Sequence, residues 1–195
     1  MDDQGHHSVK YLQTITEAQT ALADLKDSTS LLLQFNPAVG RLAECLANDR
    51  TIFVCGNGGS HNQASHLSTE FVVRFKTDRR ALAAHALGAD VGLLTACAND
   101  YSYDQIFSRE IEALGRPGDV LIGISTSGKS PNVNRAITTA RHKGLGTIGL
   151  SGVKGLQSEP DLDLRMPSDN TARIQELHLL ICHMLVEAVE ATVPV

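Results

Sequence analysis

The chain has no tryptophan, and phenylalanine and tyrosine bring its aromatic content to only 4% of 195 residues. With so little aromatic mass and 16 glycines, the core must be aliphatic and the turns tight. Excess positive charge is also missing: the net charge of −5 has the wrong sign for binding a phosphate backbone and argues against nucleic acid as a partner. No apolar run approaches the ~18 residues that a membrane span needs. Met1-Asp2-Asp3-Gln4 is acidic and lacks the apolar stretch of a secretory leader, so a cytoplasmic location is expected. The four cysteines, Cys45, Cys55, Cys97 and Cys182, form no C-x-x-C pair and read as buried thiols of a reducing compartment.

What is present alternates. Residues 8–27 carry Leu12, Ile15, Ala18, Leu22 and Leu25 at three- and four-residue spacing, which predicts an amphipathic helix. A second helical region, 28–47, is interrupted by Asn36-Pro37, with Asn36 as the expected N-cap of its second part. From residue 51 the pattern changes to short apolar runs ending in small-residue turns: 51–55, 119–124, 146–150 and 162–166, with 83–87 as a shorter candidate. Helices are predicted at 60–75, 103–114, from Pro131, and at 172–191. Strands alternating with helices imply βαβ units, a parallel sheet and helices on both faces. The expected fold is a three-layer αβα sandwich of the flavodoxin-like or Rossmann-like type. It forms one domain over 1–195, with residues 1–50 as a helical extension that packs an oligomer and 51–195 as the α/β core.

In such a sheet, ligands bind where strands end at their carboxyl edges. Gly56-Asn57-Gly58-Gly59-Ser60 lets backbone approach a ligand closely. It is not a dinucleotide fingerprint, because His61 stands at the third glycine position. Ser125-Thr126-Ser127-Gly128-Lys129-Ser130 offers four hydroxyls before a helix that Ser130 is expected to cap, a nest suited to a phosphomonoester. Residues 123–130 also satisfy the nucleotide P-loop expression G-x-x-x-x-G-K-[ST], but Gly123 falls inside the apolar run and no strand ending in Asp supplies a magnesium ligand. His66 and Glu70 lie four apart and leave a helix on one face. They read as a metal site or an acid/base pair, or as a surface pair worth a few tenths of a kcal/mol.

Taken together, Cys55-Gly56-Asn57-Gly58-Gly59-Ser60, His66 and Glu70, Ala98-Asn99-Asp100-Tyr101, Gly118-Asp119-Val120, Ser125-Thr126-Ser127-Gly128, Met166-Pro167-Ser168 and Arg173-Ile174-Gln175-Glu176 resemble the sedoheptulose-7-phosphate (phosphoheptose) isomerases of the SIS fold. The resemblance runs from about residue 50 to 190 in order. It implies a homotetramer that converts D-sedoheptulose 7-phosphate to D-glycero-D-manno-heptose 7-phosphate, the first step toward nucleotide-activated heptose. It implies one Zn²⁺ per subunit on His66, Glu70, Gln175 and His183. Substrate contacts carry over to Asn57, Gly58, Gly59, Glu70, Asn99, Asp100, Ser125, Thr126, Ser127, Ser130 and Gln175, and the catalytic roles to Glu70 and His183. Two departures stand out. The stretch 152–160 is short and lacks the family's paired-glycine turn, and Lys129 stands where many members carry Asn.

The implied reaction needs a carboxylate base, an acid for the oxygens and positive charge near an enediolate. Glu70, His183 and zinc supply these in turn. Among the other histidines, His6 and His7 read as tail, His85, His142 and His178 as structural or exposed, and His61 as a supporting residue. Rival readings are a non-enzymatic tetramer of this fold that binds the replication initiator, and a sugar-phosphate sensor. The former relatives lack the last metal histidine, which is present here as His183; no DNA-binding segment accompanies the chain to support the latter.

Overall fold

Each apolar run ending in a small-residue turn becomes a strand of one parallel sheet. The computed structural model describes residues 3–192, with side chains from Ser8 onward. Two helices come first, α1 (Asp3–Lys26) and α2 (Thr29–Ala47). The sheet region follows as β1 (Ile52–Gly56), α3 (Gly59–Val72), β2 (Ala84–Ala86), α4 (Val91–Asp100), a 3₁₀ turn (Tyr103–Gln105), α5 (Ile106–Leu114), β3 (Val120–Ser125), α6 (Pro131–His142), β4 (Gly146–Ser151), β5 (Leu162–Arg165) and α7 (Thr171–Glu190). The strand order is β2-β1-β3-β4-β5, with every neighbour parallel.

Strand side chains alternate between two cores, as the pleat requires. Ile52, Val54, Ile122, Ile148 and Leu164 face one layer, with Leu42 of α2, Leu67 and Phe71 of α3, and Ile181 and Leu185 of α7. Phe53, Cys55 and Leu121 face the other, with Phe107 and Ile111 of α5 and Val133 and Ile137 of α6. The three-layer α/β sandwich anticipated from the pattern is therefore observed.

Three local expectations are corrected. α2 runs unbroken through Pro37, and its N-cap is Ser28, whose hydroxyl accepts from Leu31 N, rather than Asn36. Proline removes one i→i−4 bond; the carbonyl it frees belongs to Leu33, a residue 69% exposed. α4 was not anticipated. Asp90 caps it by accepting from Leu93 N, but Cys97 is its one buried residue, so it carries no apolar stripe for a periodicity argument to find. His6 and His7, read as tail, lie on α1.

Candidate active site

Order 2-1-3-4-5 places a topological switch between β1 and β3, where the connections leave in opposite directions and open a crevice at the carboxyl edge. The turn after β1 and the turn after β3 face it. Gly58 holds φ = 55°, which favours glycine, and a Cβ on Gly59 would come within 2.7 Å of Gln175 Nε2. In the second turn, Ser125 and Ser130 pair Oγ to Oγ at 2.9 Å. Ser130 occupies the N-cap position of α6, but its hydroxyl pairs with Ser125 and makes no capping bond, contrary to expectation; the Val133 N–H that a cap would take is held by Asn132 Oδ1. Ser127 Oγ accepts from Lys129 N at 3.2 Å. A cavity of about 210 Å³ opens beside the turn, lined by Thr126, Ser127, Lys129, Lys154 and Thr171.

The P-loop match is coincidental. Gly123 lies within β3, registered against Cys55 and Gly149, and a Cβ there would sit 3.1 Å from Val133 and Ile137.

Helices α3 and α7 build a second wall of candidate residues. His66 Nε2 and Glu70 Oε1, one turn apart on α3, are 3.2 Å from each other. His183 Nε2 of α7 is 3.1 Å from His66 Nε2 and 3.4 Å from Glu70 Oε1. Three donors nearly equidistant in this way match one face of a tetrahedral ion, whose ligands at ~2.0–2.1 Å bonds stand about 3.3 Å apart. Glu70 adds a second indication, since its Oε2 is buried without a hydrogen-bond partner. Such an orphaned acceptor costs about 1–3 kcal/mol unless a ligand completes it. The residues fit a divalent cation.

Residues that the sequence did not single out hold this wall together. The His183 ring stacks on Phe75, with centroids 5.5 Å apart. Phe75, Lys76 and Thr77 donate their backbone N–H groups to the Glu190 carboxylate at 2.9, 3.0 and 3.2 Å. Arg79 pairs with Glu190 at 3.1 Å and donates to the carbonyls of Glu70 and Phe71 at the end of α3. Burial pushes the Glu190 carboxyl up, but the three N–H donors and Arg79 hold it below the usual carboxylate range. Glu190 lies two helical turns after His183, so both face the same strap of chain.

The other predicted site residues are distributed unevenly. Gln175 is half-buried on α7; its amide lies against Gly59 and makes no hydrogen bond to the triad among the described residues. Asn57 is tied to Asn132 and to Tyr103 by hydrogen bonds of 2.8 and 3.0 Å. Asn99 and Asp100 are exposed at the end of α4, hydrogen-bonded to each other. His178 is structural: it is fully buried, with Nε2 3.2 Å from Ser151 O, and burial lowers its pKa to about 4, leaving it neutral. All four cysteines are free and buried, and burial pushes the Cys45 thiol up to about 12.

The SIS domain family matches residues 10–152. A phosphoheptose isomerase from Paramagnetospirillum magneticum is 52% identical over 159 residues, covering 80% of this chain and 83% of that protein. The chain belongs to the phosphoheptose isomerase family. Solved phosphoheptose isomerases from Neisseria gonorrhoeae and Francisella tularensis align with TM-scores of 0.87 and 0.88 at 36% and 34% identity, each covering 94% of this chain and 98% of its own. As a member of this SIS family the chain is an isomerase. No helix among the described residues is long and apolar enough to cross a membrane.

Proposed function

We propose that the chain interconverts D-sedoheptulose 7-phosphate and D-glycero-D-manno-heptose 7-phosphate in the cytoplasm, using one Zn²⁺ per subunit. The observation that carries this reading is the convergence of His66, Glu70 and His183 within 3.4 Å of one another. His66, Glu70, Gln175 and His183 would hold the ion, which when bound supplies a Lewis acid to the sugar carbonyl.

Glu70 takes the proton from C1 of the ketose and returns it to C2. His183 carries the accompanying proton from the C1 hydroxyl to the C2 oxygen. An enediolate lies between the two transfers. Ser125, Thr126, Ser127 and Ser130 take the phosphate, Ser125 and Ser130 by exchanging their mutual hydrogen bond for bonds to its oxygens. Asn57, Gly58, Gly59, Asn99, Asp100 and Gln175 contact the sugar.

A homotetramer is part of the same reading. Val9, Leu12, Ile15 and Leu22 of α1 and Leu32 and Leu33 of α2 are exposed. An apolar cavity of about 410 Å³ opens between these helices and Leu180 and Met184 of α7. Monomeric proteins rarely leave such a continuous apolar face uncovered.

Incubation with sedoheptulose 7-phosphate in D₂O, read by NMR, tests the reaction. An aldose product carrying deuterium at C2 is expected. Absence of product from metal-replete protein would remove the proposal.

A further inference from the structure

Two amides bridge the crevice between β1 and β3. Asn57 Nδ2 donates to Asn132 Oδ1 at 2.8 Å, and Asn132 Nδ2 donates back to Asn57 Oδ1 at 2.8 Å. A reciprocal pair like this would read equally well with both amides turned over. Val133 removes the ambiguity. Its backbone N–H, which can only donate, reaches Asn132 Oδ1 at 2.9 Å, so that atom must be oxygen. Asn57 must then present nitrogen to it and turn its own oxygen toward Asn132 Nδ2. The Tyr103 hydroxyl, 3.0 Å from Asn57 Oδ1, must donate.

The inventory for Asn57 follows. A carboxamide has two N–H donors and two acceptor positions on oxygen. Both acceptor positions are filled, by Asn132 and Tyr103, and one N–H is given to Asn132. One N–H remains.

We propose that Asn132 and Tyr103 are positioning residues that make Asn57 a one-sided donor: its side chain offers the ligand a single N–H and no carbonyl, and so selects an acceptor oxygen of the phosphosugar. The inference rests on the reading that a sugar phosphate binds in this crevice. The placement of the parts supports it. Asn132 is 1% exposed on the first turn of α6, where its amide is held by packing. Tyr103 is 53% exposed on the 3₁₀ turn that follows Asn99 and Asp100, so its hydroxyl bond is its tie to the crevice rather than a product of core packing. Loss of Tyr103's hydroxyl opens an acceptor position on Asn57. Loss of Asn132's amide frees Asn57 to rotate.

The test uses the full chain with Tyr103→Phe and Asn132→Ala, titrated with sedoheptulose 7-phosphate after chelation and assayed after Zn²⁺ is restored. Tyr103→Phe should keep its Tm within about 1 °C, since the ring is exposed. It should raise Kd about five-fold, the loss of one hydrogen bond's worth of alignment, and shift the Asn57 side-chain amide signal in ¹⁵N NMR. Asn132→Ala should raise Kd by more. Wild-type Kd in both variants, or an unshifted Asn57 signal in Tyr103→Phe, would overturn the inference while leaving the isomerase reading intact. A wild type that binds the sugar phosphate without isomerising it removes the activity and leaves this inference to be judged by the Kd values. No binding by the wild type removes both.

Discussion

The two candidate walls, one built by helices α3 and α7 and one by the turns after β1 and β3, are prepared for their ligands in different ways. The helix-built wall holds His66, Glu70 and His183 with donor atoms converging and one carboxylate oxygen unpartnered. The turn-built wall has its hydroxyls and amides satisfied by one another: Ser125 with Ser130, Ser127 with Lys129 N, Asn57 with Asn132. The first wall is organised before a ligand arrives and is incomplete without one. The second is largely paired already, with one Asn57 N–H left over, and its serine hydroxyls must exchange bonds when a ligand binds. Exchange of hydrogen bonds contributes little net free energy, so the turns serve recognition. A fixed, desolvated carboxylate near a cation suits proton transfer, so chemistry is expected on the helices.

The largest effect should therefore come from the helix wall. Glu70→Gln keeps the side chain's shape and removes its proton-accepting charge. kcat should fall by about 10²–10⁴-fold with phosphosugar affinity largely kept, as a kcat/KM decomposition would reveal. His183→Gln should be similarly impaired, and the double variant no worse than the poorer single one, because both serve one proton-transfer sequence. A Glu70→Gln enzyme turning over at the wild-type rate would erase the contrast between the walls.

Next in size is the strap that supports the helix wall. Glu190→Ala leaves Arg79 and three backbone N–H groups without their acceptor, and breaking a buried pair from one side costs about 3–5 kcal/mol. Chemical denaturation should register that loss. Competition with a chromophoric chelator should show weaker Zn²⁺ binding, about 10–100-fold, because the strap carries Phe75 against His183. Unchanged Zn²⁺ affinity would mean that the triad is fixed by α3 and α7 alone.

The division between walls also accounts for what could be read from sequence. The strands, most of the helices and the His66–Glu70 pair follow from spacing, because apolar alternation and an i,i+4 step are local. Gln175 and His183 entered only through the family resemblance, since nothing within α7 says that His183 will meet α3. Phe75, Arg79, Asn132, Tyr103 and Glu190 were invisible for the same reason: each acts through a partner 8 to 115 residues away. Pro37 misled because its cost is small where the freed carbonyl belongs to an exposed residue, and Ser130 misled because the Asn132 side chain took the N–H that a cap would hold.

A smaller effect sharpens the comparison by pH. His178, on the buried face of α7, titrates at about 4 in the folded chain against 6.5 in the unfolded one. Below 6.5 the unfolded chain takes up a proton that the folded chain refuses, so stability falls as pH drops from 6.5 toward 4, and this group has no effect above that window. The total is of order 3 kcal/mol at ~1.4 kcal/mol per pKa unit. Denaturation at pH 7.5 and 4.5 should show the slope, and a His178→Gln variant should flatten it.

Lys129→Ala, on the turn wall, should do least. An exposed ammonium beside a phosphate aids binding and little else, so KM should rise a few-fold with kcat retained. Equilibrium dialysis with ATP and Mg²⁺ should show no saturable binding in either form, since Gly123 lies within β3 rather than in a phosphate loop. Saturable binding lost in the variant would restore the nucleotide reading.

His66 and His183 are 117 positions apart in the chain, yet their nitrogens lie 3.1 Å from each other. Contacts of such long range form only when the intervening sheet is assembled, so a nascent or cleaved chain without α7 has no ion site to fill. An ion that recognises the finished chain alone draws the folding equilibrium toward it by mass action, more strongly as free metal rises. On the proposed metal-dependent reading, ion supply governs how long the protein survives proteolysis as well as how fast it works, and starvation for the ion lowers its abundance before any change in its synthesis.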